Sequence, residues 1–222
     1  MPALVKVSAL AGVEIHYDRF KEEDYGQPGH PHSVYMSSGM HQKTEGCFAS
    51  LFGSIPSSFG RPKFILTAGA YVQKPGYHGQ GRAFDLDGLI WENASWIATS
   101  FPQKPQLYLA IESVVRQHFG TVLTYSYNDP HKDHIHMDDG TSPGFEKMAK
   151  SRVIYLQNCL YYLYGVQVAR DGVWGPETQV ATTMIREELG IGGFSEKANW
   201  LEFLRVNTTR GFDAFVASLH VS

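Results

Sequence analysis

Short apolar stretches with alternating or continuous patterning dominate the first two thirds of the chain, and helical spacing dominates the last third. Residues 12–17 (GVEIHY) alternate and predict a short strand, and residues 63–69 (KFILTAG) form a compact apolar run that reads as a buried strand. Residues 83–91 (AFDLDGLIW) set Phe84 and Leu86 against Asp85 and Asp87, so the two acids share one face of a strand. Residues 105–120 (PQLYLAIESVVRQHFG) carry Leu107, Ala110, Ile111, Val114 and Val115 at helical spacing between an opening proline and a closing glycine. TVLTYSYN then reads as a strand. In DHIHMDD (133–139), His134, His136 and Asp138 fall on one strand face, with Ile135 and Met137 on the other. Residues 18–60, rich in Gly, Ser, Pro and His, read as long loops. The expected fold is α+β: a small, largely antiparallel sheet with flanking helices and long loops.

A Gly/Pro/Ser segment near residue 141 introduces a change. Three helical stretches follow: SRVIYLQNCLYYLYG, GPETQVATTMIREELG and SEKANWLEFLR, the last with Ser195 as its expected N-cap. The boundary is placed so that residues 1–148 form one domain and residues 149–222 a small all-α bundle.

Composition narrows the function classes. The 222 residues are 43% hydrophobic, with 19 basic and 22 acidic side chains and a net charge of −3. That balance gives no electrostatic reason to expect nucleic acid or an anionic membrane as partner. No apolar run reaches the roughly 18 residues of a membrane span. The first twenty residues, with one lysine and a weak apolar segment, make a poor secretory signal. Cys47 and Cys159 lack CxxC spacing and read as two free, buried thiols.

The candidate chemistry lies in two places. YHGQGRAFDLDG (77–88) offers His78 just past a turn and Asp85 on the following strand, with Gly79 and Gly81 allowing close backbone approach. HKDHIH (131–136) offers His136 from a neighbouring strand, with His134 on the same face. Two imidazoles and one carboxylate suit zinc with a fourth position left open for water. Asp87 is read as capping the Asp87–Gly88 turn, ahead of a role in orienting a ligand histidine. Asp138 and Asp139 are read as ending a strand.

HGQGRAFD, as H-x-x-G-x-A-x-D, together with DHIH, resembles the D-Ala-D-Ala carboxypeptidase-like zinc peptidases, a group that shares a fold with the murein and lysostaphin-type endopeptidases. The resemblance implies Zn2+ held by His78, Asp85 and His136. Two forms of the family's general base fit at once: Asp133-x-x-His136, and His134-x-His136, which His131 extends to H-x-x-H-x-H. Asp133 is preferred as base, with His134 the other candidate. The sequence departs from the pattern at Gly76, where many relatives have Ser, and in GAYVQKPG, which lacks an upstream arginine for a substrate carboxylate. Arg82 or Lys74 is the stand-in, and Arg82 and His131 are the expected substrate contacts.

The helical part is similar to the peptidoglycan-binding repeat, through Leu156, Gln157, Leu160, Asp171, Gly172, Trp174, Gly175 and Thr178. The physical reading of those residues is structural: a tight glycine turn, Trp174 plugging the core, and Pro176 opening a helix. Together the two resemblances imply a monomeric zinc metallopeptidase. It would hydrolyse a stem-peptide or cross-bridge amide of peptidoglycan in the periplasm or outside the cell, tethered by its C-terminal domain. The alternative is a catalytically inactive wall-binding protein with a structural zinc site.

Overall fold

The computed structural model describes residues 3–19 and 25–219. The fold is α+β. The strands are β1 (Leu4–Val7), β2 (Ala9–Leu10), β3 (Val13–Tyr17), β4 (His30–Pro31), β5 (Val34–Ser37), β6 (Pro62–Gly69), β7 (Ala83–Trp91), β8 (Ser95–Ile97), β9 (Thr121–Leu123) and β10 (Ile135–Asp138). The helices are α1 (Ser38–Ser54), α2 (Pro105–His118), α3 (Lys150–Tyr164), α4 (Pro176–Glu188) and α5 (Lys197–Ser218). The main sheet runs β2-β3-β6-β7-β10-β9, with β4 on β3 and β8 on β7, while β1 and β5 form a separate pair. Every pairing is antiparallel except β3 with β6.

The expected strands at 12–17, 63–69 and 83–91 correspond to β3, β6 and β7. The stretch read as loops does not stay irregular: it holds β4, β5 and all of α1, with residues 20–24 outside the described part. Met40, Thr44, Cys47, Phe48 and Leu51 recur every three or four positions and bury one face of α1. Ser37 caps it by accepting the Met40 N–H at 3.2 Å. Gly39, Gly46, Gly53 and several serines dilute that stripe enough to hide it in composition. Cys47 and Cys159 are free and buried.

The helical part is built around one glutamine. Gln157 is fully buried and its amide has four partners. Its Nε2 donates to Asp171 Oδ1, Val173 O and Thr178 Oγ1, each at 3.0 Å, and its Oε1 accepts the Gly172 N–H at 2.8 Å. Gly172 stands at φ +77°, where a side chain is strained, and a Cβ there would fall 2.5 Å from Lys150. The residues that carry the peptidoglycan-binding resemblance therefore hold α3, the turn and α4 together. Two details differ from expectation. Trp174 is only partly buried against the core, and α5 is capped at Glu196 with no side-chain bond, not by Ser195.

The helices after residue 148 share their core with the sheet-bearing part. The buried apolar cluster is continuous from Val7 to Phe215. Helix α5 lies against α2 through Gly211, where a Cβ would sit 2.7 Å from Gln106 O and 2.9 Å from Ala110 Cβ. Phe212 and Phe215 meet Phe59 edge-on. Arg116, almost fully buried in α2, pairs with Glu112 at 2.8 Å and reaches Ser151 O and Oγ in α3.

Two outcomes follow. A chain ended after residue 148 is expected to lose its cooperative thermal transition in circular dichroism, because α2 and Phe59 lose their cover; an unchanged transition would contradict the shared core. Gln157→Leu is expected to cost roughly 2–3 kcal/mol in urea unfolding, since it strands the buried groups that the amide satisfies.

Candidate metal centre

The site is assembled by strand register and one loop. In the antiparallel pair β7–β10, His136 stands directly opposite Asp85. Their neighbours Leu86 and Ile135 point to the other face and are fully buried. His78 comes from a single 3₁₀ turn, His78–Gln80, that follows the loop after β6. Both glycines there are sterically required. A Cβ on Gly79 would lie 1.7 Å from Lys74 O, and one on Gly81, at φ +65°, would lie 2.4 Å from Leu4. Coordinating atoms of His78, Asp85 and His136 all lie within 4.8 Å of one another, and the group could hold a metal ion.

Its chemistry fits a tetrahedral cation. His78 Nε2 lies 3.2 Å from His136 Nδ1 and 3.2 Å from Asp85 Oδ2, and His136 Nδ1 lies 2.9 Å from Asp85 Oδ1. Ligands about 2.0–2.1 Å from a tetrahedral zinc stand roughly 3.3 Å apart, close to these edges. The outer nitrogens are already engaged. His78 Nδ1–H donates to Ala70 O at 2.5 Å, and His136 Nε2–H donates to Asp138 Oδ2 at 3.3 Å. With a metal bound, those bonds would leave Nε2 of His78 and Nδ1 of His136 as the inward lone pairs. Burial would raise Asp85, but hydrogen bonds from His136 and His78 outweigh it and hold the carboxyl well below its usual range. Burial opposes charge on His136, yet its bonds to Asp138 and Asp85 lift it to about 9.

Asp133 and His134 do not stand equally near this cluster. His134 Nε2 lies 3.7 Å from Asp85 Oδ1, at the edge of the triad. Asp133 sits behind it: Oδ1 accepts from His134 Nδ1 at 2.7 Å and Oδ2 accepts from Arg19 Nη1 at 2.9 Å. Burial works against ionisation of Asp133, but the His134 bond and the charge of Arg19 outweigh it and keep its carboxyl below the ordinary range. Arg19 is itself forked onto fully buried Asp87, with Nε at 2.6 Å and Nη2 at 2.8 Å. Tyr25 donates its hydroxyl to Asp133 O. Asp87 therefore does not cap a turn. It lies inside β7 and anchors the arginine that braces Asp133.

The proposed substrate contacts are placed differently. Arg82 Nε pairs with Asp139 at 2.7 Å, and its guanidinium lies 5.2 Å from the Tyr77 ring centroid, so it ties the His78 loop to the end of β10. His131 stands at the cluster, its ring 5.1 Å from His134 and 5.9 Å from His136. Burial, with the neighbouring His134 and His136, lowers His131 to about 4, so it is neutral at pH 7. Asp138 ends β10 as expected and also braces His136 while accepting the Gly140 N–H at 2.8 Å. Arg19, Tyr25 and Asp138 escaped the sequence reading as site residues. Asp138 alone carried a signal, being two residues beyond a ligand on the same strand face.

Residues 67–148 match the family model described as Extensin-like protein C-terminus. The matched span contains His78, Asp85, His131, Asp133, His134 and His136. No curated protein and no solved structure matches the chain.

The two shifted groups set a pH dependence for metal binding. At pH 7 the metal-free His136 carries a proton and Asp85 does not, so a metal displaces about one proton from this pair. Zinc affinity is therefore expected to rise with pH, about tenfold per unit between pH 6 and 8, and to level off above about 9. Calorimetric titration in buffers of different ionisation enthalpy measures the released proton, and pH-independent affinity would contradict this arrangement.

Proposed function

We propose that this chain is a zinc-dependent peptidase that hydrolyses a stem-peptide or cross-bridge amide of peptidoglycan. One observation carries the reading: His78, Asp85 and His136 turn three coordinating atoms toward one point, with the His134 imidazole beside them. The HxxGxAxD and DHIH motifs support the reaction class, and the peptidoglycan-binding resemblance of the helical part supports the polymer. Among the described residues no helix is long and apolar enough to cross a membrane. Action on the wall, in the periplasm or outside the cell, belongs to the same proposal.

A zinc ion held by His78, Asp85 and His136 would supply Lewis acidity, polarising a carbonyl and making water a better nucleophile near pH 7. The chain's own residues handle the proton. His134 keeps Nδ1–H on Asp133, which leaves Nε2 at the cluster as the proton acceptor. Asp133 orients the imidazole and stabilises its charge once protonated, and Arg19 and Tyr25 fix Asp133 in turn. The base in this reading is thus His134, the other candidate of the sequence, in place of the preferred Asp133. Asp133 has both carboxylate oxygens engaged and a lowered proton affinity, which suits an anchor better than a base. Arg82, committed to Asp139, serves the loop, and His131 is the neutral side chain placed to meet substrate.

The test is digestion of purified muropeptides by the zinc-loaded protein, with products identified by mass spectrometry. His134→Ala is expected to lower kcat by about 10²–10⁴-fold with zinc content unchanged. Asp133→Ala is expected to lower it less. A larger loss from Asp133→Ala would restore Asp133 as base. Stoichiometric zinc with no amide cleaved in any muropeptide would sink the peptidase reading.

A further inference from the structure

A cavity of about 190 Å³ lies between the segment before α3, helix α4 and the loop before α5, and shares none of the metal-centre residues. Helix α4 supplies Gln179, Thr182, Thr183 and Arg186, the loop before α5 supplies Gly193, Phe194 and Ser195, and Phe145, Lys147 and Trp174 close it. The volume equals about six waters at roughly 30 Å³ each, enough for a small charged group with a short arm.

Its electrostatics are one-sided. Lys147 and Arg186 line the cavity and no carboxylate does, although the chain as a whole carries a net charge of −3. Neither cation is ion-paired among the described residues. Each rests on an aromatic wall, Lys147 Nζ 5.4 Å from the Trp174 ring and Arg186 5.6 Å from Phe194. The side chains of Gln179, Thr183 and Ser195 make no hydrogen bond within the described residues and add further donors on the rim. Two unpaired cations with amide and hydroxyl donors against aromatic walls match an anion with two acceptor oxygens and an apolar neighbour.

We propose that this cavity binds the free carboxylate of a small ligand, with Lys147 and Arg186 on its oxygens and its apolar arm against Phe145, Trp174 and Phe194. The chemistry is shared by a peptide C-terminus and an acidic sugar. The site stands apart from the metal centre, and its failure would leave the peptidase reading untouched.

The test uses the full zinc-loaded chain labelled with ¹⁵N-tryptophan. It has four tryptophans, and Trp174→Phe identifies the Trp174 indole signal. N-acetylalanine, its C-terminal amide and glucuronate are titrated separately. A saturable shift of that signal with N-acetylalanine or glucuronate, and none with the amide, supports the site; the tighter acid identifies the source. Lys147→Gln and Arg186→Gln, both at the surface, are each expected to weaken binding about tenfold while leaving hydrolysis of small soluble muropeptides unchanged. No saturable shift with either acid, an equal shift with the amide, or unweakened binding in both variants would overturn the proposal.

Discussion

The arrangement depends on one register: His136 of β10 opposite Asp85 of β7. Side chains alternate across a strand, so a slip of β10 by one residue would turn His136 into the core and bring Ile135 or Met137 to the site. Core packing prevents this, because Ile135, Met137, Phe84 and Leu86 fill the opposite face without exposure. The same register carries His134 to the rim of the cluster and Asp138 to the back of His136. Only His78 arrives by another route, on a loop held in place by the Ala70 carbonyl and the Arg82–Asp139 pair.

Around that pair of strands lies a layer of charges that face one another more than they face solvent. Arg19 spans Asp87 and Asp133, so a fully buried acid on β7 anchors the group that orients His134. Burial pushes the Asp87 carboxyl up to about 8 in spite of Arg19, so this contact adds little net stability and its value is positional. Asp138 performs the corresponding task for His136, which makes the site an inner set of nitrogens and oxygens held by an outer set of carboxylates. The helical part contributes by packing: α5 on α2 and Arg116 on Ser151 join it to the sheet-bearing part.

The group that could hold a metal ion was legible in the sequence because its spacing is local. Two motifs, each within eight residues, carry the three ligands, and strand alternation tells which side chains share a face. The brace behind them was not legible, since Arg19 meets Asp87 and Asp133 across 68 and 114 positions and nothing in its local sequence points there. The choice between Asp133 and His134 was ambiguous for a related reason. Both fit the motif, and only the direction in which Asp133 turns, toward Arg19, separates them. Helix α1 was missed because glycines and serines interrupt its apolar stripe, whereas α2, with a nearly continuous one, was plain. In the helical part, the structural reading of Gln157, Asp171, Gly172 and Thr178 agrees with their hydrogen bonds.

His78, Asp85 and His136 are proposed to act together on one metal ion. X-ray absorption spectroscopy of the zinc-loaded protein addresses this directly. The expected result is one zinc per chain with two imidazole nitrogens and a carboxylate oxygen at about 2.0–2.2 Å, and loss of one imidazole contribution in His136→Ala. A sulfur neighbour, or a spectrum that His136→Ala leaves unchanged, would contradict it.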